Sequence, residues 1–170
     1  MTTIARTRHA LHQTKNDLPE RTRSALVDIL NQRLAGAIDL QLQAKQAHWN
    51  VRGPSFIALH ELFDKVVEHA AGSADLLAER VAQLGGTAIG TVRPVAEATD
   101  LEEYPLDCVS GADHVAALSG ALALFGAGIR RAIEQATELG DAATADLFTE
   151  ITRGSDKLLW FVEAHGHART

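Results

Sequence analysis

Residues 44–64, AKQAHWNVRGPSFIALHELFD, contain two apolar helical patterns separated by a Gly-Pro turn. His48 lies near the end of the first pattern, and His60 and Asp64 lie early in the second. The glycine permits unusual backbone angles and the proline cannot extend an incoming helix, so the chain reverses here. The stretch therefore predicts two long adjacent helices with polar side chains where the pattern calls for buried or half-buried residues.

The same helical periodicity runs through most of the chain. Apolar residues recur at three- and four-residue steps in four long segments, as expected for amphipathic helices. These segments cover residues from about 25 to 49, 55 to 84, 111 to 139 and 141 to 165. Residues suited to opening or capping a helix precede them: Pro19, Ser55, Ser110 with Asp113, and Asp141.

Residues 85–110 interrupt the pattern with glycine, proline and few periodic apolar positions. A connection of this length is uncommon unless it is functional or crosses the molecule. A short helical piece around 96–103 fits inside it. The sequence thus predicts an all-α fold, a four-helix bundle of ferritin-like connectivity whose long crossover loop carries a short helix.

The domain organisation is simple. With 170 residues, 46% of them apolar, the chain fits one globular domain with a real core. We assign that domain to residues 19–166. Residues 1–18 lack apolar periodicity and are predicted to be a flexible basic arm, and residues 167–170 a short C-terminal tail.

Composition and charge exclude several classes of protein. The single cysteine rules out a disulfide framework within the chain, and no run of eighteen apolar residues indicates a membrane span. With no apolar signal core near the start, we expect a cytoplasmic protein without a membrane partner. The net charge of −6 disfavours general nucleic-acid binding, although residues 1–23 carry five Lys or Arg against two acids.

The second long helix contains two polar pairs at i, i+4 spacing, His60 with Asp64 and Asp75 with Glu79. Each pair projects from one face of the helix and can offer two ligands to one metal. Imidazole with carboxylate oxygens suits iron, manganese or zinc. His60 and Asp75 are about 22 Å apart at 1.5 Å per residue, so the two pairs cannot share an ion within one chain.

A second copy of the helix resolves this difficulty. The two pairs mirror each other about one point, between His69 and Ala70, because position 60 is as far from it as 79 and position 64 as far as 75. If two copies cross antiparallel about a two-fold axis there, His60 and Asp64 of one face Asp75 and Glu79 of the other. Two-fold interfaces are self-complementary in this way. Residues 70–74 read AAGSA, which is small enough for close backbone approach.

The turn at 50–55 folds His48 back towards His60, and this completes a predicted site of His48, His60 and Asp64 from one subunit with Asp75 and Glu79 from its mate. The competing interpretation is ordinary surface chemistry. An isolated His–Asp pair at this spacing is usually a salt bridge, and an Asp–Glu pair is usually solvated. Three such elements near one small-residue crossing favour the metal site.

At this point the residues resemble a known family. Residues 44–64, followed by ADLLAERVAQLGGTAIGT at 74–91, are similar to Dps proteins, the mini-ferritins named for DNA protection in starved cells. The motif is AHWN, then LHELFD with its histidine twelve residues after the first, then D-x-x-x-E. The match extends from about residue 23 to residue 165.

The resemblance implies a homododecameric shell with ferroxidase centres shared across two-fold interfaces. The family oxidises Fe(II), preferably with hydrogen peroxide rather than oxygen, and stores ferric mineral in the cavity. The matching ligands are all present: His48, His60, Asp64, Asp75 and Glu79. Because the ligand set is histidine-rich and sparse, one iron is expected to be held firmly and the second weakly. Zinc is the alternative metal.

The resemblance also gives roles to residues outside the ligand set. Trp49 adjoins His48 and is expected to intercept radicals near the iron, against a default role in packing that also applies to Trp160. Acidic residues at the start of the fourth helix are expected to line three-fold pores for iron entry, against a default role in capping. These are Asp141, Asp146 and Glu150.

DNA binding is the alternative function. Arg6, Arg8 and Lys15 could make salt-sensitive phosphate contacts from the terminal arm, which would add nucleoid association to the cytoplasmic location. Two hypotheses therefore stand, an iron-oxidising storage enzyme and a non-specific DNA-compacting protein whose iron site is secondary. The sequence assigns no role to Cys108, His69, His114, His165 or His167.

Overall fold

Helices make up most of residues 10–166, the part of the chain that the computed structural model describes. Four are long: α1 (Glu20–Asn50), α2 (Phe56–Gln83), α4 (Gly111–Glu138) and α5 (Ala142–Glu163). The short α3 (Val92–Ala98) lies in the connection between α2 and α4. No strand forms within the described range, where Arg52 and Ser110 make an isolated bridge. The all-α prediction, with its long crossover and short helix, is confirmed.

The short helix is displaced from its predicted place at 96–103. It begins at Val92 and ends at Ala98. Pro94 is tolerated there because it falls in the first turn, where a helix needs no N–H donor. The backbone then becomes extended at Thr99, whose hydroxyl donates to Asp39 Oδ2 of α1 at 2.7 Å. The crossover is thus fastened to α1 just past the helix.

The bundle consists of two antiparallel pairs, α1 with α2 and α4 with α5, packed on one another. The largest fully buried side chains come from all four long helices and include Leu30, Phe63, Phe125 and Phe148. By length and composition alone α4 could cross a membrane, but half of its most apolar window is buried in this core. The bundle core therefore takes up the buried half of this apolar window.

The helix ends follow the sequence prediction with one exception. Ser110 and Asp113 form a complete capping box, and the Asp141 carboxylate accepts from the first amides of α5. Ser55 precedes α2 as predicted but makes no capping bond with its side chain. Its backbone is not in the extended conformation that aims the hydroxyl of a capping residue at the first turn. Gly53, with φ of +109°, supplies the reversal before it.

Part of the predicted arm contacts the bundle. The N–H of His12 donates to the Gly85 carbonyl at 2.7 Å, and Leu11 and Leu18 pack against the core. The Arg23 guanidinium donates to the carbonyls of Leu18 and Leu84. Residues 10–18 therefore lie along the bundle, within the segment 1–18 that the sequence predicted to be a flexible arm. Arg6, Arg8 and the tail at 167–170 lie outside the described residues, and Lys15 is exposed.

Candidate metal centre

His48 and His60 face each other where the end of α1 meets the start of α2. Nδ1 of His48 lies 2.8 Å from the His60 carbonyl oxygen, and Nδ1 of His60 lies 2.9 Å from the His48 carbonyl oxygen. The rings stack with centroids 3.6 Å apart. A carbonyl only accepts, so Nδ1 carries the proton in both rings, and in the neutral form of each ring Nε2 keeps a lone pair for a metal. Backbone contacts fix the ligand tautomer before any metal arrives.

Asp64 lies beside this pair and already has a cationic partner. Its Oδ1 is 2.5 Å from Lys45 Nζ and 3.4 Å from His48 Nδ1. The hydrogen bond from Lys45 is the main cause that lowers the pKa of Asp64, and it outweighs desolvation. Sequence reasoning missed Lys45. The available signal was its position three residues before His48, which places both on one face of α1.

Asp75 and Glu79 stand apart from this group. Both are exposed, and neither finds a side-chain hydrogen bond or ion pair among residues 10–166. Over the same range, no three His, Cys, Asp or Glu side chains form a group that could hold a metal ion. One chain therefore brings His48, His60 and Asp64 into proximity and leaves the two carboxylates elsewhere on α2, as the rise per residue requires.

The surface of α2 between the two groups is open. A Cβ added to Gly72 would meet nothing within 4 Å. The neighbouring Ala70 and Ser73 are buried against the chain's own core. Of the small residues 70–74, Gly72 is thus the one that leaves room on the exposed face for another backbone to approach.

His69 is committed to its own bundle. Its Nε2 donates to Ser155 Oγ at 3.0 Å, and that hydroxyl in turn donates to the Ile151 carbonyl. Any side chain at Gly154 would collide with the imidazole, at 2.3 Å from Cε1. Burial lowers the pKa of His69, and the Ile151 carbonyl opposes this. The ring packs between α2 and α5 of its own chain.

Both tryptophans are exposed in the single chain. Trp49 is 67% exposed beside His48, and Trp160 is 64% exposed with its ring against Phe161. Neither takes the default core position expected of a tryptophan. Trp49 therefore lies at the surface of the single chain, next to His48 in the sequence.

Of the three acids predicted to line a pore, Asp141 does not fit that role. It is 4% exposed, caps α5, accepts from Thr144 and pairs with Arg80 NH2 at 2.8 Å. Burial raises the pKa of Asp141, but the hydrogen bonds from Thr144 and Arg80 outweigh it and the net shift is downward. The capping interpretation is correct, because its oxygens are already used. Asp146 and Glu150 are exposed and share a side of α5.

Comparison with known proteins places the chain in a class. A model of the ferritin-like domain matches residues 27–167, so this is a ferritin-like protein. The DNA protection during starvation protein of Agrobacterium fabrum is 49% identical over 154 residues, covering 91% of this chain and 95% of that protein. Its Mycolicibacterium smegmatis counterpart is 34% identical, covering 87% and 80%. Within the ferritin-like class, the chain belongs to the Dps family.

Solved structures agree with this assignment. DpsC from Streptomyces coelicolor superposes with a TM-score of 0.90 at 32% identity, covering 95% of this chain and 94% of that one. Dps from Microbacterium arborescens, in a high iron form, gives 0.80 at 35% identity, covering 92% and 98%. The bundle with its crossover is therefore the Dps fold.

Proposed function

We propose that this protein oxidises Fe(II) at centres shared between two subunits and stores the ferric product inside a homododecameric cage. Hydrogen peroxide is the preferred oxidant and oxygen the slower alternative. Removing ferrous iron and peroxide together suppresses hydroxyl radical formation, and this protects DNA in the cytoplasm. The observation that carries the proposal is the His48–His60 pair, whose two Nε2 atoms are left with lone pairs.

The chemistry of the donors fits ferrous iron. Neutral imidazole nitrogens and carboxylate oxygens are borderline and hard ligands, which iron and zinc accept readily. His48 and His60 would hold the firmer ion together with a carboxylate. Asp64 shares its Oδ1 with Lys45, so a second ion bound by Asp64 competes with that lysine for the carboxylate charge. Competition with Lys45 thus explains why one iron ion would be held firmly and the second weakly.

The second subunit supplies the missing carboxylates. Asp75 and Glu79 are exposed, have no partner among residues 10–166, and mirror Asp64 and His60 about the middle of α2. The open surface at Gly72 allows a two-fold mate to approach there. Each interface would contain two equivalent centres, each with three residues from one chain and two from the other.

The decisive experiment is peroxide-driven Fe(II) oxidation by the assembled protein. A variant with Asp75→Asn and Glu79→Gln keeps side-chain size and loses both charges, so we expect oxidation to fall about a hundredfold or more while the cage persists. The matched control is Glu134→Gln with Glu138→Gln, an exposed acidic pair at the same spacing on α4. Equal rates in both variants would remove the α2 carboxylates from the mechanism.

Iron entry is proposed to pass Asp146 and Glu150. Both are exposed on one side of α5, four residues apart, and three copies around a three-fold axis would give a negative funnel. Asp146→Asn with Glu150→Gln is expected to slow Fe(II) uptake at low ferrous concentration and low ionic strength. An unchanged initial rate under those conditions would contradict the assignment.

Non-specific DNA binding is the second candidate function. Lys15 is exposed, Arg6 and Arg8 precede it, and the relatives are named for DNA protection. Phosphate contacts of this kind weaken steeply with salt and ignore sequence. Deleting residues 1–9 leaves the His12–Gly85 contact intact, so a gel-shift titration across salt isolates the two arginines. Equal retardation of the deleted and complete proteins would exclude them as contacts.

A further inference from the structure

A buried phenol–imidazole pair joins the crossover to α4. The Tyr104 hydroxyl lies 2.6 Å from His114 Nδ1, and the two side chains belong to residues that are 7% and 1% exposed. Tyr104 is the only tyrosine in the chain. Neither residue belongs to the proposed centre or to the predicted pore.

The protonation of the pair follows from its burial. Burial lowers the pKa of His114, against the Asn50 carbonyl and Asp113, so the ring is neutral. Burial, with Cys108 second, raises the pKa of Tyr104, so the phenol keeps its proton. The hydroxyl therefore donates to Nδ1, and the ring proton sits on Nε2, which lacks a hydrogen bond of good geometry among residues 10–166.

The Phe63 ring links the pair to the segment of α2 that carries His60 and Asp64. The centroid of the His114 ring is 6.2 Å from that of Tyr104 and 6.5 Å from that of Phe63. Phe63 precedes Asp64 directly and follows His60 by one helical turn. A continuous row of rings therefore runs from the crossover to the ligand-bearing part of α2.

We propose that Tyr104 is an internal one-electron reductant for the iron centre, with His114 as the acceptor of the phenolic proton. The inference rests on the peroxide-driven Fe(II) oxidation proposed above. Hydrogen peroxide needs two electrons to become two hydroxide ions. A centre holding one ferrous ion supplies only the first, and the tyrosine supplies the second.

The step balances in atoms and charge. One Fe(II), one hydrogen peroxide and the neutral Tyr104–His114 pair give one Fe(III), two hydroxide ions, a tyrosyl radical and protonated His114. The O–O bond breaks, the iron and the phenol each lose one electron, and the phenolic proton moves along the existing hydrogen bond to Nδ1. The next Fe(II) reduces the radical, and the proton returns to the phenol.

The Tyr104–His114 pair would supply the electron that a proposed iron centre with a single ferrous ion lacks. Lys45 holds Asp64, so centres with a single ferrous ion are the expected state when iron is scarce. Without a second electron, peroxide at such a centre releases hydroxyl radical. Trp49 and Trp160 are exposed in the single chain. Tyr104 is buried and has a base beside it.

The test is freeze-quench electron paramagnetic resonance on the assembled protein, with fewer ferrous ions than centres and excess hydrogen peroxide. We expect a tyrosyl signal, which can only be Tyr104 and which narrows when the protein contains ring-deuterated tyrosine. Tyr104→Phe is expected to abolish the signal and to increase the spin-trapped hydroxyl radical. In His114→Leu the signal should form about a hundredfold more slowly, the lower range of a lost general base.

Iron oxidation is followed optically in the same samples. Normal iron oxidation with no tyrosyl signal in the wild type would overturn the role of Tyr104 and leave the ferroxidase proposal intact. Absence of any iron oxidation would overturn both. The labelled wild-type protein decides the matter by itself, so a variant that fails to assemble does not obscure the result.

Discussion

The two ends of α2 are built differently. At the first end, His60 is held by a backbone carbonyl of α1, and Asp64 is held by Lys45. At the second end, Asp75 and Glu79 project from the surface without partners among residues 10–166. The chain therefore preorganises the nitrogen half of the proposed centre and leaves the carboxylate half to be positioned by association. Assembly, not folding, would switch on the chemistry.

The largest expected effect comes from mixing two inactive subunits. One carries His48→Asn and His60→Asn, which keeps a donor near each Nδ1 and removes Nε2. The other carries Asp75→Asn and Glu79→Gln. Each alone should be inactive, whereas random coassembly should restore about a quarter of the wild-type centres, because half of the two-fold interfaces are mixed and each has one complete site. Fe(II) oxidation by coexpressed cages measures this, and no recovery would mean that the centre is not shared.

A smaller effect sharpens the role of Lys45. Lys45→Met removes the cation that holds Asp64, so the pKa of Asp64 should rise towards its ordinary value. The weaker ion should then bind about tenfold more tightly, in the range that outer-shell partners contribute. Calorimetric titration with zinc measures this, and Lys65→Met, an exposed lysine next to Asp64 in α2, is the control. Unchanged binding would show that Lys45 does not compete for Asp64, and weaker binding would show that it supports the site.

The acidic residues at the start of α5 should differ in how much they contribute to the stability of the fold. Asp141→Ala removes a helix cap and the carboxylate partner of the Arg80 guanidinium, so the free energy of unfolding should fall by about 3 kcal/mol. Asp146→Ala should change it by less than about 0.5 kcal/mol, as at an ordinary surface position. Urea unfolding of both variants provides the comparison. Similar values would contradict the division into cap and surface residue.

The smallest effect is a dependence of stability on pH. Because burial lowers the pKa of His69 below its ordinary 6.5, folding favours the neutral ring. The contribution of neutral His69 to the free energy of unfolding is fully present above pH 6.5, and it is lost as the pH falls from there towards the lowered pKa. His69→Gln should lack this part of the pH dependence, whereas His165→Gln, at an exposed position, should retain it. Identical pH profiles for all three proteins would show that His69 is not neutral in the fold.

Much of the fold follows from local sequence. The periodicity gave four helices within a few residues of their observed ends, and the capping signals at Ser110 and Asp141 formed as expected. The contact between His48 and His60 also followed, because a short turn fixes where two helices meet. The ligand roles of these residues, and of Asp64, Asp75 and Glu79, remain predictions.

What the sequence did not reveal depends on contacts between distant segments. Lys45 meets Asp64, Arg80 meets Asp141, and Tyr104 meets His114 only through the register of neighbouring elements. Asp141 shows why this matters. Its position fitted both a cap and a pore, and the arginine that decides between them lies on another helix.

The exchange of carbonyl contacts between His48 and His60 also bears on how this protein could be redesigned. The His48 carbonyl is one of the last in α1, where no amide of the helix can reach it, and the His60 ring satisfies it. These imidazoles thus hydrogen-bond the two helices to each other, in addition to offering lone pairs to a metal. A cage without ferroxidase activity, intended for other cargo, is better made by neutralising Asp75 and Glu79. Truncating the imidazole rings would instead remove the hydrogen bonds that join the end of α1 to the start of α2.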